Sequence, residues 1–194
     1  MAINNNLQDF LVDIANAIRE AEGGTEGSIP AQDFSTRIRA LTGLPSDIGT
    51  RLDIDGFTLD SGDSSPQPPF DSQGYAPSAN APEKSQSVQK VVGDLTDYDQ
   101  FSIVWDNKGS YNFYGDIYVK VIIDGTETTI FSGSSYVSGN TVTKIDVSGV
   151  TGNQTITFAA YAHSRSSYKT GSSRAIINVK GLYVATESNA AVEV

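Results

Sequence analysis

The chain has 194 residues, 13 Lys and Arg against 23 Asp and Glu, a formal net charge of -10, no cysteine and one histidine, His163. That balance argues against nucleic acid and anionic membrane as main partners, because both require a basic surface, and leaves room only for a local basic patch. The missing cysteines exclude a disulfide framework, a cysteine zinc site and thiol catalysis, and the length predicts one or two small domains.

The start, MAINNNLQDF, has neither the basic nor the apolar stretch of a secretory leader. No apolar run reaches the length of a transmembrane helix. The expectation is synthesis in a cytoplasm with no membrane insertion. Asn4, Asn5 and Asn6 then offer cap chemistry ahead of a periodic segment. Leu7, Leu11, Ile14 and Ile18 recur at helical spacing, with Phe10, Ala17 and Ala21 widening the stripe. Asp9 and Asp13 suit the positive end of a helix dipole, and Gly23 and Gly24 stop the helix. A second helix opens near Pro30, where no amide is needed. Phe34, Ile38 and Leu41 form its stripe, and Thr42, Gly43 and Pro45 end it. Helices this short are marginal alone, so their stripes must meet each other, another subunit or a larger body.

The pattern L-x-x-x-A-x-A-I-R, a Gly/Thr loop, then I-P-A-x-D-F-x-x-x-I-R-x-L covers about a fifth of the chain. It rests on Leu11, Ala15, Ala17, Ile18, Arg19, Thr25, Ile29, Pro30, Phe34, Ile38, Arg39 and Leu41. It resembles a small module near one end of virion proteins of tailed bacteriophages, found in tail, baseplate and fibre proteins. The resemblance implies docking onto other virion proteins, a homo-oligomer (trimers are common in projecting fibres) and residence in a virion. Its docking or oligomer face would be Leu7, Leu11, Ile14, Ile18, Phe34, Ile38 and Leu41.

Leu52, Ile54, Phe57 and Leu59 alternate weakly, as in one short strand or an extended arm. Asp53-x-Asp55-Gly56 and Asp60 to Asp63 have part of a calcium-loop spacing without its distal glutamate, and turn chemistry accounts for them better. Pro66, Pro68, Pro69, Pro77 and Pro82 then sit among Ser, Gly, Gln and Asn, which predicts a semi-stiff linker. Phe70 and Tyr75 are expected to anchor it on a neighbouring surface.

Beyond it the period changes to two. Strands are expected over 88–92, 100–105, 116–123, 128–131, 142–147, 155–161 and 175–184. Asp124-Gly125 is a hairpin turn signal, and Gly139-Asn140 and Gly152-Asn153 are further turns. The inward set is Ile103 with Trp105 or Phe101; Ile117, Val119, Val121 and Ile123; Ile145 and Val147; Ile156, Phe158 and Ala160; Ile177 and Val179. Short strands with regular turns predict a β-sandwich or jelly roll. The fold class is therefore mainly β with a small α module: a helical hairpin over 1–44, an extended arm and Pro-rich linker over 45–86, a sandwich over 87–186 and a tail over 187–194.

Lys144 to Val150, Thr155 to Phe158 and Ala175 to Tyr183 also resemble the late strands of galactose-binding-like jelly rolls. That resemblance implies carbohydrate binding through end loops, or a scaffolding role. Sugars pack apolar C–H faces on aromatic rings and offer hydroxyls to polar side chains, and two loops carry that mixture. Trp105, Asp106, Asn107, Tyr111 and Tyr114 stand in the first, and His163, Arg165 and Tyr168 in the second. The competing reading is an ordinary subunit interface rich in Tyr and Asn. With a single histidine, no nucleophile elbow and no phosphate-cradling glycine loop, no enzyme, cofactor or metal is expected. The expected role is a non-enzymatic phage structural protein of the tail, baseplate or fibre with its sandwich displayed outward, whose loops either form a structural interface or bind host-surface carbohydrate. The alternatives are a capsid decoration or head-fibre protein and, in another class, a soluble carbohydrate-binding adhesin module.

Overall fold

The structure is a computed structural model that describes residues 14–18, 37, 48–76, 81–112, 115–133 and 140–186. The chain divides into two compact units, Met1–Ile48 and Gly49–Val194. In the first, residues 14–18 are helical, with Ala15 and Ile18 buried, Ile14 half-buried and Asn16 and Ala17 exposed. Ala17 therefore does not widen the buried stripe as its spacing suggests. Arg37 is also helical. Leu7, Leu11, Phe34, Ile38 and Leu41 lie outside the described residues, and the expected helical hairpin is not shown. Among the described residues no helix is long and apolar enough to cross a membrane.

The second unit is built from β1 (Thr50–Arg51), β2 (Phe57–Asp60), β3 (Lys84–Asp94), β4 (Gln100–Asn107), β5 (Gly115–Ile123), β6 (Thr126–Ser132), β7 (Thr141–Asp146), β8 (Asn153–Ser164) and β9 (Ile176–Ala185). One sheet runs β1-β9-β4-β7, with β2 pairing further along the same β9, and the other runs β3-β8-β5-β6. Every pairing is antiparallel. From β2 onward each connection changes sheets except the β5–β6 hairpin, turned by Asp124 and Gly125 at φ 45° and 75°. That interleaving is the jelly roll, two Greek keys wrapped into a sandwich.

Alternation selects the core. Ile117, Val119, Val121 and Ile123 of β5 face Ile156, Phe158 and Ala160 of β8, and Phe101, Ile103 and Trp105 of β4 face Ile177 and Val179 of β9. Burying each such large apolar side chain stabilises by about 1.5–3 kcal/mol. In β9 the phase slips: Trp105 pairs with Val179 but Val104 with Gly181, so Lys180 is the extra residue of a bulge. Leu182 and Val184 then continue the buried side.

The Pro-rich linker is a correction. The sandwich begins at β1, and residues 61–76 are tied onto it rather than spanning free. Proline cannot donate to a ladder, so the stretch crosses the loop after β8 through isolated bridges, Ser64 to Ser173 and Tyr75 to Tyr168. The Ser164 amide donates to Ser64 Oγ at 2.8 Å, and the Ala175 amide to Ser61 Oγ at 3.0 Å. Short serines thus satisfy backbone groups that the prolines leave without ladder partners.

Asp60 closes the same seam by accepting from Arg174 Nε at 2.7 Å and from its second nitrogen. That hydrogen bond, opposed by burial, holds the Asp60 carboxyl below the usual carboxylate range. Hydrogen bonds from Thr96 do the same for Asp94, and from Ser148 for Asp146. A folded-state pKa below the unfolded value gives stability that is present above the ordinary carboxylate range and lost as pH falls through the folded values. Melting temperature is expected to stay flat from about pH 7 to about pH 5 and to drop below about pH 4. Asp60→Asn should shrink that drop. An acid limb as steep in the variant as in the parent would refute the linkage to this pair.

Candidate functional site

The outer face of the β3-β8-β5-β6 sheet carries residues that the core does not use. On β5 these are Asp116, Tyr118 and Lys120, and on β8 they include Ala159, Tyr161 and His163. Register places them in rows, Asp116 opposite His163, Tyr118 opposite Tyr161 and Lys120 opposite Ala159. Directly opposed strand positions are close enough for side chains to touch. The Tyr118 and Tyr161 rings stack with centroids 4.7 Å apart and planes at 13°, and the Lys120 ammonium lies 4.8 Å from the Tyr118 centroid. Thr129 and Ser132 of β6 form the far rim. Together Asp116, Tyr118, Lys120, Thr129, Ser132 and Tyr161 line an open cleft of about 700 Å³.

Its mouth is fixed by Asn112, whose side chain accepts from the Gly115 amide at 2.9 Å and donates to the Gly115 carbonyl at 2.8 Å. Position 115 has no room for a side chain, since a Cβ there would stand 2.2 Å from the His163 carbonyl oxygen. The close approach of β5 to β8 at Gly115 therefore sets the spacing of the tyrosine rows.

The charges of the cleft are paired. Arg165 donates to Asp116 Oδ2 through Nε at 2.9 Å and through a second nitrogen at 2.5 Å. Lys120 donates to Glu127 at 2.7 Å. These bonds raise the Arg165 and Lys120 pKa values. Burial, and after it a hydrogen bond with Glu83, pushes the Tyr161 phenol up. The surface combines stacked aromatic rings with neutral hydroxyl groups, suited to a ligand that has both apolar faces and hydroxyls.

The structure redistributes the residues that the sequence nominated. Trp105 is a core residue, 2% exposed, packed edge-on against Phe131 and donating Nε1 to Thr143 Oγ1 at 2.9 Å. Its position in β4 points it between the sheets, so it is not a ligand platform. Asn107 is buried and shapes its own turn, its Oδ1 accepting from the amides of Gly109 and Ser110. Asp106 is paired with Lys180 at 2.7 Å. Tyr114 lies outside the described residues. The two loops do meet, through the Tyr111 to Arg174 bridge and the Ser173 hydroxyl donating to Asn112 Oδ1 at 3.0 Å. Their meeting makes a hydrogen-bonded seam. Tyr168 packs against Tyr75 at 5.1 Å, while His163 and Arg165 belong to the sheet face. Among the described residues no cluster of His, Cys, Asp or Glu could hold a metal ion.

Sequence reasoning missed Tyr118, Tyr161, Asp116 and Lys120. The signal was present: once Ile117, Val119 and Val121 are assigned inward, Asp116, Tyr118 and Lys120 must face out. An aromatic residue at an outward strand position is the clue. The cross-strand partner that makes it a pair is fixed only by register.

Fold and site define a jelly-roll sandwich with its cleft on a sheet face. No protein-family model matches the chain, and no curated protein matches it. The resemblance of residues 7–41 to a phage virion module finds no support in either comparison. Solved structures overlay loosely. CBM51 from Clostridium perfringens GH95, in complex with methyl-galactose, is 12% identical with a TM-score of 0.29, covering 53% of this chain and 68% of that one. CBM28, a carbohydrate-binding module specific for non-crystalline cellulose, is 12% identical with a TM-score of 0.31, covering 73% and 84%. Xylanase10C from Cellvibrio japonicus, in complex with xylopentaose, is 6% identical with a TM-score of 0.33; 70% of this chain covers only 28% of that one. At these scores the likenesses carry no argument about function.

Proposed function

We propose that the Gly49–Val194 unit is a non-enzymatic carbohydrate-binding sandwich whose binding surface is the cleft on the outer face of the β3-β8-β5-β6 sheet. The observation that carries this reading is the Tyr118–Tyr161 stack lining a cleft of about 700 Å³. Aromatic rings carry a negative face that attracts polarised C–H groups, and the volume falls in the range of small-molecule sites. Asp116 is the sole carboxylate among the described lining residues and is bound to Arg165. Glu127 is likewise bound to Lys120, and the reading is of a surface that binds without cleaving.

The full chain should be retained by a glycan on a polysaccharide panel. Tyr161→Ala and Tyr118→Ala should each weaken that binding by about tenfold or more, equivalent to about 1.4 kcal/mol, with melting temperatures close to the parent's. Undiminished binding by both variants, or no glycan bound at all, would overturn the reading.

A second reading keeps the sandwich and places it on a virion, as a tail, baseplate or fibre component or a capsid decoration or head-fibre protein. It rests on the resemblance of residues 7–41 alone; of that stretch, residues 14–18 are helical with Ile18 buried. Ile14→Asp should then prevent incorporation into particles while leaving glycan binding by the cleft intact. Incorporation at the parental level would sink the docking role.

A further inference from the structure

We propose that the cleft is selective for an uncharged glycan. This rests on the carbohydrate-binding reading and adds the ligand's charge class. A site for uronates, sulfates or phosphates offers cations not already committed to the protein's own carboxylates, as an anion must be repaid for its lost hydration. Among the described residues, the cations beside the cleft, Arg165 and Lys120, are both paired. Arg165 holds Asp116 with two hydrogen bonds, and Lys120 holds Glu127 at 2.7 Å. Glu83 adds a third carboxylate beside the Tyr161 hydroxyl. An anionic sugar reaching the remaining N–H donors of Arg165 or Lys120 would sit beside Asp116 or Glu127, whose charge offsets that of its partner.

The remaining polar groups of the lining are neutral: the side chains of Thr129 and Ser132 and the tyrosine hydroxyls, all of which both donate and accept. His163 stands opposite Asp116 on the same face. The whole chain adds to the bias, since a net charge of -10 repels a polyanion before contact. Neutral hydroxyls beside an aromatic stack match a polymer whose only polar groups are hydroxyls and ring oxygens.

The test uses the full chain against two sets of immobilised polysaccharides, one uncharged (a glucan, a mannan, a galactan and a xylan) and one anionic (polygalacturonate and heparin). The parent should bind a member of the first set and none of the second. Its affinity should change less than about twofold between 0.05 and 0.5 M salt, because no ion pair forms across the interface. Glu127→Gln, which releases Lys120, should gain measurable retention on the anionic set. Parental binding to an anionic polymer that weakens as salt rises, and that Tyr161→Ala abolishes, would overturn the charge assignment and leave the cleft standing. Binding to any polymer that is indifferent to Tyr161→Ala, or binding to neither set, would overturn both.

Discussion

Trp105→Ala is expected to destabilise the sandwich by about 3–5 kcal/mol, a fall in melting temperature of roughly 10 °C or more for a domain of this size. Three contributions add. The indole is 2% exposed and loses its burial. The truncation leaves a cavity beside Phe131, whose ring stood 5.8 Å away edge-on. The Thr143 hydroxyl loses the donor that Nε1 supplied at 2.9 Å, a smaller cost of about 1 kcal/mol. Denaturant unfolding followed by far-UV circular dichroism measures the sum. Any loss of glycan binding should track the loss of folded protein and vanish at temperatures where the variant is fully native. A variant of parental stability that no longer binds glycan would return Trp105 to the ligand and refute its place in the core.

Gly115→Val should be equally damaging for a different reason. The obstacle is backbone: a Cβ at this position would meet the His163 carbonyl oxygen at 2.2 Å and the Ser164 Cα at 2.9 Å. No rotamer relieves a collision at Cβ, so β5 and β8 must part. The expected cost is about 3 kcal/mol or more, at the upper end of overpacking, with glycan binding lost because Asp116 and Tyr118 follow directly on the displaced residue. Gly125→Ala is a comparison in which backbone conformation, not contact, carries the cost. Its φ is 75° but nothing lies within 4 Å of its Cβ, so only the left-handed backbone is penalised, by about 1–2 kcal/mol. Equal losses in the two variants would show that strand contact at Gly115 is not the cause.

The contrast between Trp105 and Tyr118 shows what a sequence pattern can settle. Both are aromatic residues in strands, and both fit a sugar site by residue type. The sequence pattern puts Trp105 both in the inward set and among the glycan candidates, and Tyr118 in neither. Phase alone separates them: Trp105 shares its side with Phe101 and Ile103, while Tyr118 alternates against Ile117 and Val119. The linker failed for another reason. Pro66, Pro68 and Pro69 report that residues 61–76 are not a regular strand, which is true, but composition says nothing about what a non-strand segment lies against. Its bonds run to Ser164, Ser167 and Ser173, about a hundred positions away in the chain.

By itself the sequence determined the seven later strands, the Asp124-Gly125 hairpin and the inward set, because the two-residue period of a strand forces apolar positions to one side. It also determined the acidic balance, a formal net charge of -10. Only the tertiary structure decided that β1 and β2 complete the sheet at β9, that the two end loops close on each other, and that Tyr118 meets Tyr161 across β5 and β8. Those are pairings between distant segments, and register between strands is set by the packing of the whole core, which no local stretch encodes.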